Sequence, residues 1–248
     1  NFMIWFIIAT LVAFFIKGLC GFANTLIFNG ILSYTANNIN ISPLEVVLGY
    51  PSNIILVWKE RKSLNWKIWL PLTALVVAGS IPGIFLLKHT DAGLLKVIFG
   101  IAVIVIGVEM LFREMKSNRE SSNRKPGGSK LVLVLIGIIS GLLCGLYGVG
   151  ALLAAYVSRV AENSHEFKAN ICVVFVVENT IRIILYVATG ILTLSVLKQV
   201  VILIPFMLAA VFLGMKSSSV LNEKIIKKIV IILLILSGIV LIINNIPG

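Results

Sequence analysis

Charged residues are scarce in this sequence. Asp, Glu, Lys and Arg make up 12% of the 248 residues, whereas soluble domains carry roughly 25%. Apolar residues make up 59% of the chain, and the mean hydropathy is +1.06. The composition therefore excludes an ordinary water-soluble domain, because too few polar groups are present to cover its surface.

Histidine and cysteine are also rare, with two and three residues respectively. Cys20, Cys144 and Cys172 lie in apolar sequence, and no Cys-x-x-Cys pair occurs. We expect these cysteines to be small core residues. His89 and His165 lie in predicted loops. The sequence therefore predicts no disulfide framework, no metal site and no cofactor.

Motifs of known catalytic sites are absent from the sequence. It contains no Gly-x-x-x-x-Gly-Lys-Ser, no His-Glu-x-x-His, no Gly-x-Ser-x-Gly and no pair of aspartates. An enzyme embedded in a membrane would need a nucleophile with its base, or a metal cluster. We therefore expect a protein that is not an enzyme and that has no ATPase of its own.

Long apolar runs dominate what is present. Ile68–Leu87 and Leu94–Leu111 approach or reach the roughly 20 residues that cross about 30 Å of hydrocarbon as a helix. The sequence predicts an all-α polytopic protein of the cell membrane, with the bilayer as a partner. Apolar segments lie near 2–16, 22–36, 42–58, 68–87, 94–111, 131–145, 149–160, 170–188, 197–215 and 229–243.

A basic linker divides these segments into two similar sets. We predict an N-terminal repeat over 1–111, a cytoplasmic linker over 112–130 and a C-terminal repeat over 131–248. A shift of 127 places Gly18–Ala23 on Gly145–Gly150, and a shift of 131 places Gly107 on Gly238. A shift of 124 instead aligns Cys20 with Cys144, so the register near the glycines stays open. Internal repeats are typical of secondary transporters.

The net charge of +11 is concentrated in short loops, so the sequence predicts no nucleic-acid partner. Lys59–Lys67 carries +3, the linker +4 and Lys216–Lys228 +3, which places all three in the cytoplasm. This requires an odd number of passes in each half and therefore inverted repeats.

We expect each half to hold a broken or re-entrant glycine-rich hairpin of short helices and about three full spans. A homo-oligomer is left open.

Two glycine clusters are the first candidates for function. Gly18 and Gly21 lie in the first half, and Gly141–Gly150 contains four glycines in the second. Glycine can leave helical geometry and expose backbone N–H groups, which attract anions at a helix N-terminus. The alternative is that these small residues only allow close helix packing.

Ionisable residues inside apolar runs are the second candidates. Glu178 and Arg182 lie four residues apart, on one helical face. Either Arg182 is the counter-charge of a substrate and Glu178 a proton carrier, or the two form an internal salt bridge. Asn179 adds a neutral donor, and the shift of 127 aligns it with Ser52, beside Asn53.

Other polar residues have less specific interpretations. Asn24 and Asn29 either line a pore or form hydrogen bonds between helices. Lys17 could reach the site, but long basic side chains near helix ends more often extend to the membrane surface, which is the position we favour. We expect Glu45 to be solvated at the end of a segment. Pro51 is expected to kink its segment. Three tryptophans beside the basic loop look like interfacial anchors: Trp58, Trp66 and Trp69.

Gly141–Gly150 resembles the second signature of the TauE/SafE sulfite exporter family, and Phe15–Leu26 resembles a degenerate first copy. The similarity covers essentially the whole chain. Family members commonly show two or three glycines and then a proline at each signature, whereas this chain has Ala23-Asn24-Thr25 and Ala151-Leu152-Leu153.

The resemblance implies a secondary transporter of a small anion, namely sulfite, a sulfonate or a related organic anion, working by alternating access with protons as a candidate coupling ion. An anion channel shares these features and remains an alternative. Glu178 is the candidate proton carrier. The candidate substrate-binding residues are Gly21, Phe22, Ala23, Asn24, Ser52, Asn53, Gly148, Val149, Gly150, Asn179 and Arg182.

Overall fold

The structure, a computed structural model, describes residues 2–32, 38–86 and 151–243, with single positions between 97 and 134. Within these ranges the chain is helical and forms no β-strand, which confirms the predicted all-α class. A short 3-10 turn, Arg61–Ser63, follows the third helix. The helices are α1 (Phe2–Cys20), α2 (Asn24–Leu32), α3 (Asn38–Glu60), α4 (Trp66–Leu86), α5 (Ala151–Val160), α6 (Ser164–Ala188), α7 (Leu194–Val220) and α8 (Glu223–Ile243).

Four stretches of the described chain are long and apolar enough to cross a membrane. They are Met3–Cys20, Ile41–Ser63, Ser164–Ala188 and Leu194–Val220, and a shorter apolar stretch, Trp66–Pro82, lies in α4. The polytopic membrane architecture is thereby confirmed.

The first glycine cluster contains a break between two helices. The helix α1 ends at Cys20 because Gly21 adopts the left-handed region, with φ of +88°. Ala23 also has a positive φ, of +73°, which costs a non-glycine residue about 1–2 kcal/mol. The helix α2 then begins at Asn24 and has nine residues, too few to cross a membrane, whereas α1 has 19 and is long enough. The predicted break is present, but only α2 is short.

Gly18 lies inside α1, so the packing alternative, and not a break in the helix, applies to it. A Cβ added at Gly18 would lie 3.1 Å from the Cα of Gly214 in α7, and one added at Gly214 would lie 3.0 Å from the Cα of Gly18. The two helices pack along each other at this point. Close packing is therefore the role of Gly18.

A second close approach joins α8 to Gly100, Ile104 and Gly107. A Cβ added at Gly107 would lie 2.6 Å from Cγ1 of Ile235, and one added at Gly238 would lie 2.7 Å from Cγ1 of Ile104. The shift of 131 that places Gly107 on Gly238 also places Ile104 on Ile235. The two contacts are therefore reciprocal under this shift.

The helices α3 and α6 pack side by side, and α4 lies against α6. Pro43 and Pro51 lie inside α3, which continues without interruption through both. The side chain of Asn163 accepts a 2.9 Å hydrogen bond from the N–H of Glu166 and so caps the start of α6. This start places His165, which we expected in a loop, in the first turn of the helix.

The basic loop between α3 and α4 carries exposed tryptophans. Trp58 is 70% exposed and Trp66 63% exposed, while Trp69 packs partly against the core. Apart from Phe112, the predicted linker 112–130 lies outside the described residues, as does the second glycine cluster. The boundaries of the two repeats stay a prediction.

Candidate functional site

Polar residues on facing sides of α3 and α6 form the candidate site. Their spacing of three, four or one residues places them along one side of each helix. All of the polar side chains among them are buried. The α3 positions are Ser42, Glu45, Gly49 and Asn53, and the α6 positions are Glu178, Asn179, Arg182 and Tyr186.

Lys17, Asn24 and Glu45 form a chain of hydrogen bonds across the break between α1 and α2. Lys17 Nζ donates to Asn24 Oδ1 at 2.8 Å, and Asn24 Nδ2 donates to Glu45 Oε1. The hydroxyl of Thr25 donates to the same oxygen at 2.8 Å. The ammonium group also lies 5.4 Å from the centre of the Phe175 ring, within range of a cation–π interaction.

Two expectations about these residues are wrong. Lys17 is 1% exposed and does not extend to the membrane surface, and Glu45 is 3% exposed and is not solvated. Their hydrogen bonds explain the difference, because a buried charge is tolerated where partners replace water. Asn24 connects the two charges.

Arg182 lies between α3 and α6 and is 1% exposed. Its Nη2 donates to Ser42 Oγ at 2.9 Å and to the hydroxyl of Tyr186 at 3.0 Å. Its Nε lies 3.6 Å from Glu178 Oε1, and within the described ranges neither of these two atoms has a hydrogen-bond partner. The ion pair with Glu178 is therefore present, and one guanidinium donor stays unused.

The two cations and two carboxylates interact as one cluster. Glu45 interacts electrostatically with both Arg182 and Lys17, and Glu178 interacts with Arg182 and Glu45. We call Lys17, Glu45, Glu178 and Arg182 the charged cluster. Its charges cancel when all four groups are ionised.

Gly49 leaves room between three polar groups of the site. A Cβ added there would lie 3.3 Å from Glu45 Oε1, 3.5 Å from Asn24 Nδ2 and 3.7 Å from Asn179 Nδ2. No other amino acid would leave this space empty. Glycine therefore lets a carboxylate and two amides converge.

Asn53 and Ser52 differ in how their side chains are used. Both polar atoms of the Asn53 side chain are buried and have no hydrogen-bond partner among the described residues, which is uncommon and costs about 1–3 kcal/mol. The hydroxyl of Ser52 donates to the carbonyl of Gly49 at 2.6 Å, within its own helix. Asn53 is thus available to a ligand, and Ser52 is already satisfied.

The other candidates near the break, Gly21, Phe22 and Ala23, make backbone and packing contacts in the structure. The carbonyl of Gly21 accepts a 3.3 Å hydrogen bond from Cys172 Sγ. The ring of Phe22 packs edge-on against Phe167, with centroids 5.8 Å apart. Together with the strained Ala23, these contacts fix where α2 begins. Gly148, Val149 and Gly150 lie outside the described residues.

A family model for the sulfite exporter TauE/SafE matches residues 6–241, almost the whole chain. The chain belongs to the TauE/SafE sulfite exporter family. The predicted family is thereby confirmed. No curated protein and no solved structure matches the chain significantly. As a TauE/SafE protein, the chain is a membrane transporter of a family whose substrates are small sulfur-containing anions.

In this TauE/SafE protein, Lys17 and Glu45 belong to the site, although the sequence favoured a surface position for both. A signal for Glu45 was present, because Glu45, Gly49 and Asn53 recur every four residues and so share a face of α3. The signal for Lys17 was its place one turn before Gly21, inside an apolar run. Neither signal reveals that Asn24 links the two side chains.

The cysteines of this TauE/SafE protein have the expected structural role where they are described. Cys20 and Cys172 are free and buried, and Cys144 lies outside the described ranges. In the part of the chain that the structure describes, no group of three His, Cys, Asp or Glu side chains could hold a metal ion.

Proposed function

We propose that this TauE/SafE protein is a secondary transporter that carries sulfite, a sulfonate or a related organic anion across the cell membrane by alternating access. One observation carries the proposal: two buried cations, Lys17 and Arg182, lie in one polar cluster beside a broken helix. A buried cation in a membrane helix usually faces a partner or a transport pathway.

The hydrogen-bond donors in and around the charged cluster match an oxyanion. In the part of the chain that the structure describes, neither Arg182 Nε nor the side-chain amide of Asn53 has a hydrogen-bond partner. The first N–H groups of α2 have no partner within the helix and carry its positive dipole end. A sulfite or sulfonate group has three oxygens, so it can accept hydrogen bonds from several directions at once.

Charge balance supports coupling to protons. The charged cluster is neutral when all four groups are ionised, so an entering monoanion would leave an uncompensated negative charge in a buried place, which is costly. A proton taken up by one carboxylate restores neutrality. Glu178, the carrier predicted from the sequence, and Glu45 are the two candidates.

Two inverted repeats would place this site at their interface, as in other secondary transporters. The reciprocal contacts of Gly107 with Ile235 and Gly238 with Ile104 are what a two-fold pseudo-symmetric packing of 1–111 against 131–248 would give. In this arrangement Gly148–Gly150 would be the counterpart of Gly21–Ala23. All three basic stretches would then face the cytoplasm.

Anion flux into proteoliposomes tests the proposal. We expect saturable uptake of sulfite or of a sulfonate that a pH gradient accelerates, and loss of that uptake in Arg182→Ala. A current proportional to voltage would indicate an anion channel instead. Absence of both uptake and current, for sulfite and for sulfonates, would overturn the proposal.

A further inference from the structure

We propose that Glu45 is a tethered competitor of the substrate. Its carboxylate occupies the anion position at the start of α2 when the site is empty, and yields that position on taking up a proton. The inference rests on the proposed anion transport, and it assigns the proton coupling of that transport to one residue.

The hydrogen bonds of Glu45 are those that an oxyanion would make at the same place. Asn24 Nδ2 and Thr25 Oγ1 both donate to a single oxygen, Oε1 of Glu45. Asn24 and Thr25 are the first two residues of α2, where the positive end of the helix dipole attracts negative charge. A side-chain carboxylate is thus bound by two side chains at the start of a helix, which is the end that favours an anion.

Charged groups of two neighbouring helices, α1 and α6, interact with Glu45. Lys17 of α1 interacts with it through Asn24, and Arg182 of α6 attracts it directly. Glu178 of α6 has the same charge and interacts with Arg182 and with Glu45. Both cations that would bind a substrate are therefore partly compensated by Glu45 when it is ionised.

Glu178 does not compete for the same donors. Its Oε1 lies 3.6 Å from Arg182 Nε and has no hydrogen-bond partner among the residues described by the structure. It balances the charge of the guanidinium but accepts no hydrogen bond from Asn24 or Thr25. Protonation of Glu178 would therefore change the net charge of the cluster without freeing the start of α2.

The exchange balances in protons and charge. One proton binds to the Glu45 carboxylate, and the Asn24 and Thr25 donors pass to an oxygen of the incoming monoanion. The net charge of the cluster is then the same before and after. Gly49 makes this possible, because no side chain separates Glu45 from Asn24 and Asn179.

The test compares anion binding to the full chain in detergent at about pH 6 and about pH 8. The probe is a radiolabelled alkyl sulfonate, which stays singly ionised over this range, so only the protein titrates. If one proton accompanies each anion, the wild-type Kd rises by up to about tenfold per pH unit. Glu45→Gln, which carries no charge, should bind tightly at both pH values.

Glu178→Gln is the matched control, since it removes the other carboxylate of the cluster. It should shift the affinity at both pH values while keeping the ratio between them. Thermal unfolding of each variant shows that it is folded. In proteoliposomes, Glu45→Gln should also exchange one sulfonate for another but lose its response to a pH gradient.

The outcomes separate the two proposals. If the Kd of Glu45→Gln changes between about pH 6 and about pH 8 by the same ratio as that of the wild type, the proposed role of Glu45 is wrong. The proposed anion transport would not be affected by that result. If Glu178→Gln abolishes the pH dependence and Glu45→Gln does not, the proton belongs to Glu178. If the wild type binds and transports neither sulfonate nor sulfite, the proposed function fails, and the role of Glu45 fails with it.

Discussion

The Nζ atom of Lys17 and the Oδ1 atom of Asn24 are joined by a 2.8 Å hydrogen bond across the break between α1 and α2. The bond is possible because Gly21 turns the chain back within four residues of Lys17. It positions Asn24 so that its amide donates to Glu45. A helix break, a buried cation and a buried carboxylate are thus one structural unit.

Replacing Lys17 with Met should abolish high-affinity uptake. Met has a similar length and no charge, so the cation and the orientation of Asn24 are lost while the volume is kept. A charge-assisted hydrogen bond contributes about 1.5–3 kcal/mol, so the KM for sulfite should rise roughly ten- to a hundredfold. Lys62→Met, at an exposed position of the basic loop, is the control. Wild-type KM in Lys17→Met would contradict the role of Lys17.

The two interpretations of Arg182 can be separated with a double variant. Arg182→Gln alone leaves Glu178 without its ion-pair partner and should destabilise the protein by about 3–5 kcal/mol. Adding Glu178→Gln removes the unpaired charge, so thermal stability should largely return. We expect no return of anion uptake in the double variant. If uptake returns together with stability, Arg182 is only a salt-bridge partner.

Gly49→Ala should weaken transport without weakening the fold. The added methyl group would lie 3.3 Å from Glu45 Oε1 and 3.5 Å from Asn24 Nδ2. It takes space beside these groups that a bound anion needs, so the KM should rise about tenfold, which is about 1.4 kcal/mol of binding free energy. Alanine favours the helix by about 1 kcal/mol, which should keep the unfolding temperature near that of the wild type. Ile54→Ala on the exposed side of α3 is the control for both measurements. An unchanged KM would exclude Gly49 from the site.

Gly18→Ala, unlike Gly49→Ala, should weaken the fold and not transport. A Cβ at this position would overlap the backbone carbonyl oxygen of Val211 and lie 3.0 Å from the backbone nitrogen of Met215, so α1 and α7 must separate, at a cost of about 1–3 kcal/mol. Thermal unfolding in detergent should show the loss. Gly190→Asn, at a position with open space and φ of +71°, should be tolerated because Asn accepts left-handed geometry. Equal stability of Gly18→Ala and the wild type would contradict close packing.

Apolar length and composition predicted the helical class of this protein well. The segments expected near 42–58, 170–188 and 197–215 lie inside α3, α6 and α7, because hydrophobic runs of this length have few other stable forms in lipid. Helix ends were predicted less well, since caps such as Asn163 depend on local hydrogen bonds. The helix α6 therefore begins six residues before its predicted segment.

The candidate site was only partly predictable. Arg182, Glu178 and Asn24 were identified because they interrupt apolar runs. Lys17 and Glu45 were assigned to surfaces because each lies near the end of a segment, where long side chains usually reach water. Their burial results from contacts between α1, α2 and α3, and no pattern within a single helix reports such contacts.

The position of a bound anion is the most direct test of this account. Selenite is a heavier analogue of sulfite, and its selenium atom would be visible in an experimental map of the protein soaked with it. We predict a selenium peak next to Asn24 and Arg182, with the Glu45 carboxylate displaced from Asn24. A peak elsewhere in the protein, in a sample that transports sulfite, would contradict the central claim that the buried charged cluster binds the substrate.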